Sequence, residues 1–273
     1  MRKNISCHQG GTVQRLNDIK VTEAIITRFN DKLLKHLEND VVIAGGGPAG
    51  LYLAGSLAKK GWNVALVESR PSIGGGMWGG GIGFNICVFQ QESRHILDEL
   101  GIRYSEYGDG YYTTSSIETT AALILRAEQS GADIFNLTEV EDVMIADGRI
   151  TGVVVCRTPI TMAGLHVDPV SLGAKFVVEA TGHPLEVLHR VVEKTGFKLN
   201  TPSGGIEGEK SMNAHLGEGA IKENTVEIAP GLYVVGMAAN AAMGSCRMGP
   251  IFGGMLLSAE KAAAEIDEKL RKG

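Results

Sequence analysis

The feature that most constrains this chain is the run VVIAGGGPAG at 41–50, in which an apolar strand passes directly into a glycine turn. Gly45-x-Gly47-x-x-Gly50 has the spacing of a dinucleotide fingerprint. There the first glycine makes the tight turn, the second lets a pyrophosphate approach the backbone, and the third lets strand and helix pack closely. The pattern predicts a strand from Asp40 to Ala44, a helix over 48–60 with its positive end toward the pyrophosphate, and a second strand over 64–67. Glu68 closes that second strand 18 residues after Gly50. A carboxylate there accepts ribose hydroxyl protons and repels a 2′-phosphate, which favours NAD or FAD over NADP. A purely structural tight turn would use the same glycines.

Glycine supplies 37 of the 273 residues, against an average near 7%. Seven of them fall in Gly74–Gly83, which predicts an irregular but ordered ligand loop. The net charge of -5 leaves no basic stripe for a phosphate backbone, so nucleic acid is not an expected partner. Cys7, Cys87, Cys156 and Cys246 lie far apart with no CxxC pair, which points to a reduced, intracellular protein. The N-terminus lacks an apolar signal core, and no apolar run approaches the roughly 20 residues that cross a bilayer. The expectation is a soluble, cytoplasmic chain with no membrane partner.

The pattern reads as one α/β domain over 1–273. Residues 1–38 form an N-terminal arm and helix, marked by Val21, Ile25, Phe29, Leu33 and Leu37 at four-residue intervals. Residues 39–156 form the dinucleotide-binding part, with helices at 91–100 and 116–131 and a strand at ADIFNL. Two further strands joined at Asp147-Gly148 make an antiparallel hairpin added to a parallel sheet. In 157–273, segment 157–174 reads as irregular, AKFVVEATG as a strand, 185–195 as a helix, and 200–225 as polar and poorly periodic. GLYVVG is a last strand, followed by a loop over 237–249 and a helix from Ile251 to Leu270. The fold class expected is a Rossmann-like dinucleotide-binding α/β fold with an antiparallel β insertion.

FVVEATG and GLYVVG resemble the paired motifs of the two-dinucleotide-binding flavoprotein superfamily, in many of whose members the last strand ends in Gly-Asp, the Asp holding the ribityl chain of FAD. Here Gly236 is followed by Met237. The missing carboxylate counts against FAD and leaves NAD.

His166 and Asp168 share a face if their backbone is extended, and His183 follows a strand end. Two imidazoles and a carboxylate with open positions suit non-haem Fe(II), although an Asx turn at Asp168-Pro169 with two ordinary loop histidines would look the same. His8, His36, His95, His189 and His215 do not cluster. Arg247 precedes the last helix, where the helix dipole disfavours a cation, so it is either a solvated loop arginine or a bidentate grip on a carboxylate.

Taken together, VVIAGGGPAGLYLA, VESRPSIGGGMWGGG, HVDP, EATGHP and SCRMGPIFGGM resemble the thiamine thiazole synthase family in order and spacing across nearly the whole chain. The resemblance implies an enzyme that consumes NAD as a substrate: nicotinamide leaves, glycine condenses with the isomerised ADP-ribose, and sulfur insertion gives an ADP-linked carboxythiazole. It places Ala44, Gly45, Gly47, Gly50, Glu68, Ser69, Arg70, Gly76, Val140 and Met237 on the dinucleotide, Asp168 and His183 on iron, and Arg247 on the glycine carboxylate. In the fungal and plant branch the position of His166 is a sulfur-donating cysteine. Histidine has no sulfur to give, so the chain resembles the archaeal branch, which uses free sulfide with Fe(II); His166 is then an acid/base group or a further ligand. A homo-octamer with sites shared between protomers is also implied. A flavin oxidoreductase of the same fold and a non-catalytic NAD-binding sensor are the alternative functions.

Overall fold

The structure is a computed structural model that describes residues 15–273; residues 1–14, with Cys7 and His8, lie outside the described residues. The chain divides into two units, residues 1–35 and 36–273. In the first, helix α1 (Asp18–Lys35) opens where the Asn17 side chain accepts the backbone N–H of Ile19, and its last turn carries Lys32 and Lys35. Both features complement the exposed ends of a helix. The periodic run therefore stops two residues short of Leu37.

The second unit is built on an eight-stranded sheet. Strand β1 (Glu38–Ala44) leads through the glycine turn to helix α2 (Pro48–Ala58) and back to β2 (Val64–Glu68), which pairs parallel to β1 with Ile43 opposite Leu66. After two short 3-10 turns over Gly75–Gly79 and Gly81–Gly83, the chain forms β3 (Ile86–Gln90), α3 (Arg94–Leu100), β4 (Tyr104–Gly108) and β5 (Tyr111–Ser115). These strands make a separate antiparallel sheet in the order β3-β5-β4, which the sequence pattern did not lead one to expect. Their sequences, ICVFQ, YSEYG and YYTTS, lack the strict apolar–polar alternation that marks a half-buried strand.

Helix α4 (Ser116–Gln129), capped by the Ser115 hydroxyl, returns the chain to β6 (Asp133–Asn136), parallel to β2. The hairpin β7 (Thr138–Ala146) and β8 (Arg149–Arg157) turns at Asp147 and Gly148. Helix α5 (Thr158–Met162) and strand β9 (Val170–Glu179) follow, so segment 157–174 is shorter in irregular structure than its composition suggests. β9 lies parallel to β1 along one edge; its other edge is shared, antiparallel β8 taking the first half and parallel β11 (Leu232–Val234) the second. Helices α6 (Glu186–Thr195) and α7 (Ala214–Asn224), strand β10 (Glu227–Ala229), α8 (Met237–Ala242) and α9 (Gly253–Lys272) complete the unit. α7 and α8 replace what reads from the sequence as polar loop.

Helices α2, α4 and α9 cover one face of the sheet, with Leu51, Leu53, Leu57, Leu123, Leu256 and Ile266 fully buried against Ile43, Leu66 and Val178. At about 25 cal/mol per Å² of apolar surface this burial is the main stabilising term. It holds the C-terminal ends of β1, β2 and β9 in register, and those ends carry the site. No helix among the described residues is long and apolar enough to cross a membrane.

Candidate active site

A cavity of about 1090 Å³ opens at the C-terminal ends of the parallel strands, the usual ligand position in a doubly wound sheet. Its floor is the glycine turn. Gly45 has φ +108°, and a Cβ there would meet the Ala180 carbonyl oxygen at 2.4 Å. A Cβ on Gly50 would meet the Gly45 carbonyl oxygen at 2.1 Å, so the first turn of α2 packs backbone to backbone on the strand end. At Gly47, the N-cap of α2, nothing lies within 4 Å of a built Cβ. No side chain caps this helix, and the N–H groups of its first turn face an open position.

Glu68 is buried and held by its own chain. Oε2 accepts the N–H of Gly46 at 2.9 Å, while Oε1 accepts the N–H of Arg70 at 2.9 Å and the Ser69 hydroxyl at 3.3 Å. Ala44, Gly45, Ser69, Arg70, Gly76, Val140 and Met237 also line the cavity. Glu139 and Glu186, which no local sequence pattern singles out, line it too. Burial pushes the Glu186 carboxyl above its ordinary value, and the charges of Glu139 and Glu68 add to this.

His183 and Arg247 line the same cavity. His183 sits in the turn after β9, whose shape depends on Glu179. That fully buried carboxylate accepts the N–H and hydroxyl of Thr181 on Oε1 and the N–H groups of Val187 and Leu188, at the start of α6, on Oε2. Burial raises the Glu179 pKa, and the four donors pull against it. His183 Nδ1 lies 2.9 Å from both carboxylate oxygens of Glu209, a third residue that the sequence pattern does not reveal. The Glu209 segment is zipped onto the Arg247 segment by backbone bonds: Lys210 N–H to Ser245 O, and Arg247 N–H to Lys210 O. Lys210 also lines the cavity.

His166 and Asp168 are placed elsewhere. Residues 161–170 are exposed throughout, 165–169 have no regular structure, and neither side chain lines the cavity. Among the described residues no three His, Cys, Asp or Glu side chains form a metal-sized cluster. Cys87 and Cys156 are buried, Cys246 is partly exposed, and none is in a disulfide; burial pushes the Cys87 thiol up to about 12.

Comparison with known proteins decides the family. The model of the Thi4 family matches residues 22–252. The chain belongs to the Thi4 family. Thiamine thiazole synthases related to it include one from Methanothermobacter thermautotrophicus, 52% identical over 94% of this chain and 100% of that protein. Another, from Pyrococcus horikoshii, is 49% identical over 94% of this chain and 99% of that protein. The crystal structure of Thermovibrio ammonificans THI4 superposes with a TM-score of 0.91 at 47% identity, covering 94% of this chain and 100% of that one. The Rossmann-type fold is thus a Thi4 fold, and the chain's activity is that of an enzyme of thiamine thiazole synthesis.

Proposed function

We propose that this Thi4 chain takes NAD as a substrate and, with glycine and free sulfide, converts it to an ADP-linked carboxythiazole with release of nicotinamide, in an Fe(II)-dependent reaction whose first step is a pentosyl transfer. The observation that carries this reading is the joining, in one cavity, of a dinucleotide turn with an imidazole and an arginine. An ordinary redox site needs the first and not the other two.

The open position above Gly47 and the α2 N-terminus suit the pyrophosphate. Glu68, its oxygens already aimed by Gly46, Ser69 and Arg70, accepts the ribose hydroxyls, and Val140 flanks the adenine. Arg247, whose guanidinium makes no hydrogen bond or ion pair with other described residues, grips the glycine carboxylate, for which a bidentate fork is well shaped. Such a grip holds the amine beside the sugar carbon it must attack. His166 supplies acid/base chemistry or a further ligand.

His183 fits a divalent cation: an imidazole on the cavity wall with a carboxylate on Nδ1 keeps Nε2 as a lone-pair donor. Asp168 does not reach it within one chain, so in this reading Asp168 and His166 come from a neighbouring copy in a homo-octamer. Bound Fe(II) would supply a Lewis-acid position that lowers the pKa of sulfide. The sulfur source is external in this reading because His166, at the position that donates sulfur in the fungal and plant branch, has none to give. The unpaired thiols suit a cytoplasmic setting.

The test is anaerobic incubation with NAD, glycine, sulfide and Fe(II). Nicotinamide and an adenylated thiazole are expected by mass spectrometry, and recovery of intact NAD refutes the reading. Turnover without sulfide, with the protein losing the mass of hydrogen sulfide, would instead make a cysteine of the chain the donor, Cys246 being the partly exposed one.

A further inference from the structure

Glu209 lies outside the glycine turn and outside the five segments that carry the family resemblance, yet both its oxygens sit 2.9 Å from His183 Nδ1. We propose that Glu209 is a positioning residue, fixing His183 in the tautomer protonated on Nδ1 so that Nε2 is the nitrogen that donates to a divalent cation. The proposal rests on the reading of His183 as a metal donor and extends it to how that donor is held.

The chemistry follows from the contact. A carboxylate accepts and does not donate, so the proton shared between the two groups belongs to Nδ1, and the neutral ring then carries its lone pair on Nε2. A carboxylate behind a ligating imidazole also sets the ring plane and raises the basicity of the donor nitrogen. The position of Glu209 is itself determined by backbone bonds. Glu207 N–H donates to Ala242 O at 3.0 Å, Lys210 N–H to Ser245 O at 3.0 Å, Arg247 N–H to Lys210 O at 3.2 Å, and Asn213 N–H to Arg247 O at 3.0 Å. Glu209 is thus carried on the strip that is stapled to Arg247. Through it, the imidazole on the β9 turn is referenced to the arginine that lines the same cavity, and the spacing between metal donor and carboxylate grip is held by the fold.

The experiment titrates the full-length, metal-free protein with Co(II) alone and follows the visible absorption bands, with thermal unfolding of each apo variant confirming that it is folded. Glu209→Ala is expected to weaken Co(II) roughly 10- to 100-fold and shift the bands. Glu209→Gln, whose amide oxygen still accepts from Nδ1, is expected to restore most of the affinity; His183→Ala is expected to abolish binding. Wild-type affinity in Glu209→Ala, with binding lost in His183→Ala, overturns the positioning role while leaving His183 as donor. Loss in Glu209→Gln as complete as in His183→Ala overturns it in favour of direct ligation by Glu209. Unchanged binding in His183→Ala overturns the metal reading of His183 and the proposal with it.

Discussion

Substituting alanine at Gly47 separates ligand binding from folding in a way that no other glycine of the turn allows. Its backbone, φ -77° and ψ -177°, is open to any residue, and a methyl group there meets nothing within 4 Å. Removing a glycine from the unfolded chain stabilises by about 0.4–1 kcal/mol. Alanine is a poorer N-cap than glycine by a similar amount, about 0.5–1 kcal/mol, so the net change in stability is expected to lie within about 0.5 kcal/mol of zero. The methyl nevertheless occupies the open position above the helix N-terminus. Displacing a pyrophosphate from one or two backbone N–H groups costs about 2–4 kcal/mol of charge-assisted hydrogen bonding. That corresponds to a roughly 30- to 1000-fold weaker dissociation constant. Gly50→Ala is the counterpart, because its methyl would lie 2.1 Å from a carbonyl oxygen that only backbone movement can relieve. It should lose about 3 kcal/mol of stability. Urea unfolding of both variants and calorimetric titration with NAD give the readout. Wild-type NAD affinity in Gly47→Ala would refute the placement of the pyrophosphate over this residue.

Three further substitutions probe the turn after β9, a buried carboxyl outside the cavity and the site itself. Glu179→Gln leaves one amide NH₂ facing two N–H or O–H donors in a fully buried pocket, and should cost about 2–4 kcal/mol in urea unfolding at fixed protein concentration. A loss below about 0.5 kcal/mol would show that the carboxylate does not hold the β9 turn. Glu218 accepts from Gln90 beside the start of α9, and burial lifts its pKa from 4.5 to about 7. The folded state then binds more protons than the unfolded one between those values. The stability from Glu218 is therefore full below about 4.5 and is lost as pH rises through about 7. The change is about 2 kcal/mol after allowing for its partial exposure, and Glu218→Gln should flatten this part of the pH–stability profile. Arg247→Ala should impair glycine incorporation more than nicotinamide release, measured in the same anaerobic assay; equal loss of both would remove the arginine from the glycine carboxylate.

What the sequence made legible was local. The turn at Gly45, Gly47 and Gly50, the helix start and the second strand ending at Glu68 were legible because they lie within 31 residues of chain, although the contact that demands glycine at Gly45 comes from the distant Ala180. The β7–β8 hairpin was legible for the same reason, through Asp147-Gly148. What stayed hidden depends on contacts far along the chain. Glu209 matters only because the strip around Lys210 pairs with Cys246, some 36 residues later, and no local spacing announces that bridge. Helix α7 carries Gly217 and Gly219, which weaken both its propensity and its periodicity. Gly217 is there because a Cβ would meet the Cys246 carbonyl oxygen at 2.7 Å, a packing demand set by tertiary structure. His166 and Asp168 show the reverse case: their two-residue spacing suggested that they share a face, with His183 returning to it from a strand end, but the segment that carries them is irregular and turned to solvent within the chain.

That exposed stretch, residues 161–170, has a consequence in genetic terms. If its His166 and Asp168 serve the cavity of a neighbouring copy, then each site is encoded twice over, once by the copy that lends the cavity wall and once by the copy that lends the loop. A chain defective at His183 and a chain defective at Asp168 would then each be inert in isolation. Expressed in the same cell, they would assemble some sites from two sound halves, and two null alleles of one locus would complement each other.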